Sequence, residues 1–266
     1  MLKNTTDFHK KLLKKFSHTP TLRQSKLFVM LVDFVFSKDH QTLFLMKGYA
    51  GTGKTSAISA LVTNLRETEK KSVLLAPTGR AAKVITGYSK VPAYTIHKKI
   101  YFPKKQQNGS VDFVLQTNKH KNTIFIVDEA SMIPDSPQNG KLFENGSLLD
   151  DLISYVYSGH RCKLILIGDT AQLPPVKLSI SPALDENRLE IDYDKNVYKI
   201  ELNEVTRQHE NSGILLNATL LRTLIENNAT NFRFDMNYPD IVRLIDGYDI
   251  QDAISECYDN DGVEDT

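Results

Sequence analysis

The chain has 266 residues, of which 41% are apolar, and carries 33 basic against 32 acidic side chains for a net charge of +1. Two cysteines, Cys162 and Cys257, make no disulfide framework, which excludes a small secreted scaffold. No apolar run approaches the ~18–20 residues that a membrane helix needs; the longest, Leu27–Phe36, is broken by Asp33.

The opening residues have lysines but no apolar stretch followed by a small-residue cleavage site, so no signal peptide is read. The expectation is a soluble, cytoplasmic chain with no membrane partner. Charge is unevenly spread. Residues 1–30 hold seven Lys/Arg against Asp7, residues 80–121 hold nine against Asp112, and residues 235–266 hold ten Asp/Glu against Arg243. A basic block beside phosphate-binding machinery is a footprint for a polyanion, although a solvated lysine face has the same composition.

In chain order, residues 1–21 read as a basic N-terminal segment and Leu22–Ser37 as a helix. Apolar runs bounded by Gly, Pro or charge predict buried strands at 43–46, 72–76, 123–127 and 163–168. Helix-compatible segments lie near 54–67, 79–87 and 147–158. Strands alternating with helices predict an α/β fold, a parallel sheet covered on both faces. One interval departs from the alternation. Residues 101–116 place Asn108-Gly109 between two β-compatible runs, the signal for a two-residue hairpin turn, inside the basic block.

GYAGTGKT at 48–55 matches the phosphate-loop pattern, with a strand before it and a helix after it as the motif requires. Gly48, Gly51 and Gly53 permit a tight turn, so that the N–H groups of Ala50, Thr52 and Ser56 and their neighbours face phosphate oxygens. Lys54 suits the β- and γ-phosphates of ATP, and the Thr55 hydroxyl suits Mg²⁺.

TIFIVDEAS (123–131) brings Asp128 and Glu129 to the carboxyl end of a buried strand, the edge where ligands bind in open α/β sheets. Asp128 suits Mg²⁺ held partly through water, and Glu129 suits polarisation of an attacking water. A further buried strand ends in GDTAQLPPV (168–176), where the amide of Gln172 can address a γ-phosphate or a water. Pro174-Pro175 stiffens the exit.

Gln24, GYAGTGKT, APTGRAA (76–82), TIHKKI (95–100), DEASM (128–132), GDTAQLPPV and LNEVTRQ (202–208) occur in that order. Together they resemble the first motor domain of superfamily-1B DNA helicases, the RecD-like and phage Dda-like group. This group includes the alpha subunit of exonuclease V. The resemblance spans roughly residues 20–220.

It implies a P-loop NTPase of RecA-like architecture over residues 22–208, with an inserted hairpin, or pin, at about 100–118 where strands are separated. It implies that Gln24 reads adenine and that Arg207 reaches the γ-phosphate. It implies that Pro77, Thr78, Gly79, Arg80, Thr95 and His97 hold single-stranded DNA. Tyr101, Phe102 and Phe113 of the hairpin either stack on bases or pack against the sheet.

Nothing after Arg207 supplies the motifs of a second motor domain. Residues 209–266 read as its incomplete beginning, so the rest is expected beyond Thr266. The expectation is an ATP-dependent 5′→3′ DNA helicase or translocase of which this chain, an N-terminal portion, binds ATP–Mg²⁺ and single-stranded DNA without unwinding alone. A P-loop phosphotransferase or a non-catalytic ATP-dependent DNA-binding module are the alternatives. The oligomeric state is not legible.

Overall fold

The computed structural model describes residues 5–16, 19–105, 111–134, 147–172, 175, 181–204, 212–229 and 231–261. The chain divides into two compact units, Met1–Arg207 and Gln208–Thr266.

The first unit is built on strands β1 (Thr42–Gly48), β2 (Lys71–Ala76), β3 (Ala93–Thr95), β6 (Thr123–Val127), β7 (Lys163–Gly168) and β8 (Asn196–Leu202). They form one sheet in the order β3-β2-β6-β7-β1-β8, and every neighbouring pair is parallel. The sheet confirms the α/β fold class. Adjacent residues of a strand point to opposite faces, and both faces are buried. Phe44, Met46, Ile124, Ile126, Ile165 and Ile167 share one cluster with α1 (Thr5–Lys15), α2 (Leu22–Phe36), α3 (Lys54–Leu65) and α4 (Gly79–Ser89). Leu43, Leu45, Phe125, Val127, Leu164 and Leu166 share the other with α5 (Ile96–Ile100), α6 (Leu148–Ser158) and α7 (Glu186–Ile191). Two-sided burial is why these strands read as unbroken apolar runs. Each fully buried aliphatic or Phe side chain contributes about 1.5–3 kcal/mol relative to exposure.

Two strands were not anticipated. β3 has only three residues, and β8 is an edge strand whose apolar residues alternate with exposed ones. The basic N-terminal segment includes helix α1, whose Phe8 and Leu12 are fully buried. They recur four residues apart and so fall on one face. Helix α2 opens with a capping box: Gln24 N donates to Thr21 Oγ1 at 3.3 Å and Thr21 N donates to Gln24 Oε1 at 3.0 Å. At its other end, buried Lys163 of β7 donates from Nζ to the carbonyls of Phe34 (2.8 Å) and Ser37 (2.9 Å). Burial pulls the Lys163 pKa down to about 8.

The inserted hairpin is present as β4 (Tyr101–Lys105) paired antiparallel with β5 (Val111–Leu115); its Asn108-Gly109 turn lies outside the described residues. Tyr101 is buried, and its hydroxyl donates to Asp151 Oδ2 of α6 at 2.6 Å. This ring therefore roots the hairpin in the core and is not a stacking surface. Phe102 and Phe113 are 43% and 47% exposed. The register sets Phe102 opposite Val114 and Phe113 opposite Pro103, so the two rings project from opposite faces of the ribbon.

The second unit contains α8 (Gly213–Glu226) and α9 (Gly247–Asp261). Asp240 accepts from the Ser212 hydroxyl at 2.7 Å and from Gly213 N at 2.8 Å, closing the start of α8. Ile214, Leu220 and Ile225 of α8 are exposed. Among the described residues no helix is long and apolar enough to cross a membrane.

Candidate functional site

β1 runs out at Gly48 and α3 begins at Lys54, so GYAGTGKT forms the turn between a buried strand and a helix N-terminus. Gly53 has φ +88°, and a Cβ there would lie 2.7 Å from Gln24 Nε2. Only glycine meets both demands. Gln24 is buried; beyond its role in the capping box, its Nε2 donates to the Thr52 carbonyl at 3.0 Å. Its amide thus braces the loop from behind. Thr52 is also buried and donates its hydroxyl to the Tyr49 carbonyl at 2.7 Å. Lys54 Nζ donates to the carbonyls of Gly48 (2.6 Å) and Tyr49 (2.9 Å), which holds the ammonium over the loop. Ala50 is exposed at the loop's crown, while Gly51, Thr55 and Ser56 are half-buried. The first-turn N–H groups of a helix have no intrahelical acceptor, so the start of α3 presents donors beside a fixed cation.

Asp128 and Glu129 follow the last residue of β6. Asp128 N donates to the Leu75 carbonyl at 3.1 Å, carrying the pairing with β2 one residue further. Both oxygens of Asp128 are engaged. Oδ1 accepts from Glu129 N at 2.9 Å and Oδ2 accepts from the Tyr88 hydroxyl at 2.8 Å. Burial, reinforced by the Asp128 charge, pushes the Tyr88 phenol far up, so it stays a donor. Glu129 has φ +55°, a left-handed conformation that costs a non-glycine residue energy. The chain then turns through Ala130–Met132, where the Ser131 hydroxyl donates to Gln172 Oε1 at 2.6 Å. A cleft of 460 Å³ is lined by Asp128, Glu129, Met132 and Gln172 together with Thr78 and Arg80. The carboxylate pair, the glutamine and part of the APTGRAA segment therefore share one space.

Among the described residues there is no group of three or more His, Cys, Asp or Glu able to cage a metal. One aspartate and one threonine hydroxyl instead suit Mg²⁺, which keeps several waters and takes most other oxygens from phosphates. The donors present fit that cation.

The remaining candidates lie at the β2–β3 end of the sheet. Thr78 is the N-cap of α4, its hydroxyl accepting from Ala81 N at 3.2 Å; Thr95 is the N-cap of α5, accepting from Lys98 N at 3.2 Å. Both threonines thus have a local structural duty. Pro77 is half-buried, and Gly79, Arg80 and His97 are exposed. The His97 ring lies against Tyr101 with centroids 5.9 Å apart. Gly79, Lys83, Tyr94, Thr95 and Lys98 line a groove of 440 Å³, and Lys99 Nζ sits 5.6 Å from the Tyr94 ring centroid. Arg207 falls outside the described residues, as does Pro174.

Three residues escaped the sequence reading: Tyr88, Ser131 and Tyr94. Ser131 stood inside DEAS and was legible as a motif position. Tyr94 flanks the TIHKKI segment. Tyr88 reaches Asp128 from 40 positions away, and nothing local to it signals that contact.

The AAA domain family matches residues 35–230. The ATP-dependent RecD2 DNA helicase of Deinococcus radiodurans is 32% identical over 136 residues, covering 50% of this chain and 16% of that protein. The ATP-dependent DNA helicase dda of Enterobacteria phage T4 is 30% identical over 194 residues, covering 70% of this chain and 39% of that protein. The chain thus spans well under half of either relative. A crystal structure of Pif1 helicase from Bacteroides in complex with ADP-AlF3 and ssDNA aligns with TM-score 0.49 at 17% identity, over 92% of this chain and 58% of that one. With a family match over most of its length, the chain belongs to the AAA domain family, and it is similar in sequence to the RecD2 and dda helicases.

Proposed function

We propose that this chain is the ATP- and single-stranded-DNA-binding motor domain of an ATP-dependent DNA helicase or translocase of 5′→3′ polarity. The polarity rests on family resemblance. The observation that carries the proposal is the neighbouring position of β6, β7 and β1, whose carboxyl ends bear Asp128 and Glu129, Gln172, and the loop holding Lys54. The helicase relatives support the same reading.

In this assignment the loop N–H groups from Gly48 to Ser56 bind the phosphates of ATP, and Lys54 turns from the Gly48 and Tyr49 carbonyls towards them. Thr55 and Asp128 hold Mg²⁺, which supplies charge neutralisation when bound. Glu129 polarises a water, and Gln172, oriented by Ser131, senses the γ-phosphate side of the cleft. Gln24 contacts adenine while bracing Thr52, and Arg207 contributes its guanidinium, which cannot deprotonate. Pro77, Thr78, Gly79, Arg80, Thr95, His97 and Phe102 contact the DNA strand, with lysines of the basic block adding salt-sensitive attraction.

Residues 22–208 form the motor domain, and residues 209–266 begin a second RecA-like domain. A motor works by opening and closing a cleft between two such domains, so the chain alone binds ATP and, weakly, single-stranded DNA but does not unwind. The test is ATP binding by this chain, DNA-stimulated phosphate release by the full-length protein, and a strand-separation assay on both. Phosphate transfer to a small hydroxyl acceptor, or robust unwinding by the 266-residue chain, would contradict the assignment.

A further inference from the structure

Helix α4 touches the site at both ends. Its N-terminus carries Thr78 and Arg80 into the cleft that also holds Asp128 and Glu129. Near its C-terminus Tyr88 is half-buried, packed against the core beneath the sheet face, and its hydroxyl donates to Asp128 Oδ2 at 2.8 Å. The Tyr88 backbone carbonyl accepts from Ser59 Oγ of α3, the helix that begins at Lys54, at 3.5 Å. The residue is therefore bonded to the aspartate strand through its side chain and to the phosphate-loop helix through its main chain. Among the described residues, the other Asp128 oxygen accepts a local bond, from the N–H of Glu129 next in sequence. A single local bond leaves a carboxylate free to swing; the phenol supplies the second, non-local restraint.

We propose that Tyr88 is a positioning residue for the metal-holding carboxylate of Asp128, fixing the rotation of that group for a hydrated Mg²⁺. The inference rests on the ATP-site reading above. Each carboxylate oxygen has two acceptor positions, so the phenol takes one on Oδ2 and leaves the other for a water of the cation. Hydrogen bonds to charged groups are the strong ones, so loss of this one is expected to move the metal requirement by about 10-fold.

The test uses the 266-residue chain, a fluorescent ATP analogue and a Mg²⁺ titration. In Tyr88→Phe the Mg²⁺ concentration that half-saturates the metal-dependent gain in nucleotide affinity rises about 10-fold, while affinity without metal stays near that of the unsubstituted chain. In the Asp128→Asn background, adding Tyr88→Phe has no further effect on the metal titration. An unchanged titration in Tyr88→Phe overturns the proposal. So does an equal loss of affinity with and without metal, which marks a packing role only. If the unsubstituted chain binds no nucleotide, the ATP-site reading fails and the role of Tyr88 fails with it; if it binds nucleotide with a Mg²⁺ dependence that Tyr88→Phe leaves in place, only the role of Tyr88 fails.

Discussion

The hydroxyl of Ser131 donates to the amide oxygen of Gln172 at 2.6 Å, joining the turn after β6 to the loop after β7. With its oxygen so occupied, the amide directs its NH₂ group elsewhere. Gln172 is exposed while Ser131 is buried, so the serine is the fixed partner. Ser131→Ala is expected to leave ATP affinity within about twofold and to lower ATP turnover of the full-length protein by about 10-fold, the scale of one neutral hydrogen bond. Steady-state kinetics checks this, and unchanged turnover would remove Gln172 from the reaction.

Glu129 combines a candidate water-activating carboxylate with a left-handed backbone, φ +55°. Glu129→Gln keeps the shape and removes the base, so ATP binding is retained and turnover falls by about 10²- to 10⁴-fold. Glu129→Gly also removes the base but relieves the backbone. Its midpoint of denaturation should rise, by up to about 1 kcal/mol of stability. A calorimetric comparison of the two variants separates chemistry from strain; a lower midpoint for the glycine variant would show that the carboxylate itself holds this turn.

Lys163 gives the fold a pH signature. Its pKa lies at about 8 when folded against an ordinary value of 10.5, because burial disfavours the ammonium. Between those two values the unfolded chain binds more protons, so stability rises with pH. Well below pH 8 both states are protonated and the full cost of the buried charge is present. The contribution from this group should grow by about 2 kcal/mol between pH 7 and pH 10. Urea denaturation across that range checks it. Lys163→Met should flatten this component, and a variant with the same slope would clear Lys163 of responsibility.

Helix α1 belongs to the core despite its lysines. Phe8 is fully buried and packs edge-on against Phe36 with ring centroids 5.4 Å apart. Phe8→Ala should cost about 3–5 kcal/mol, the range for truncating a buried phenylalanine. Urea unfolding of the chain tests this; a loss under about 1 kcal/mol would mean that α1 contributes little to the fold.

What could be read from the residues differs between fold and site for a physical reason. β1, β6 and β7 are buried on both faces, which fills their centres with apolar side chains, so their runs announce themselves. β8 has one exposed face and its Tyr198, Ile200 and Leu202 alternate with polar residues, a weaker pattern in a short edge strand. In α1 the spacing of Phe8 and Leu12 was outweighed by the surrounding Lys10, Lys11, Lys14 and Lys15. In the site, the phosphate loop was legible because its backbone demands Gly53 and its chemistry demands Lys54. The capping box at Thr21 and Gln24 is equally local. The Tyr88–Asp128 bond joins residues far apart in sequence, and only the packing of α4 on the sheet creates it. The hairpin shows the same divide: its presence was predictable from the sequence, whereas its register, one residue off that of a two-residue turn at Asn108-Gly109, and the burial of Tyr101 against Asp151 of a distant helix were not.

The strand order makes β7 a ruler. Neighbouring strands in a sheet stand about 4.8 Å apart, and β7 alone separates β1 from β6. The backbone gauge between the lysine loop and the paired acids is therefore two strand widths, about 10 Å. Distance along that gauge is set by main-chain pairing, which side-chain drift hardly alters. Substitutions in the surrounding helices can retune the chemistry while the calibration of the platform beneath it persists.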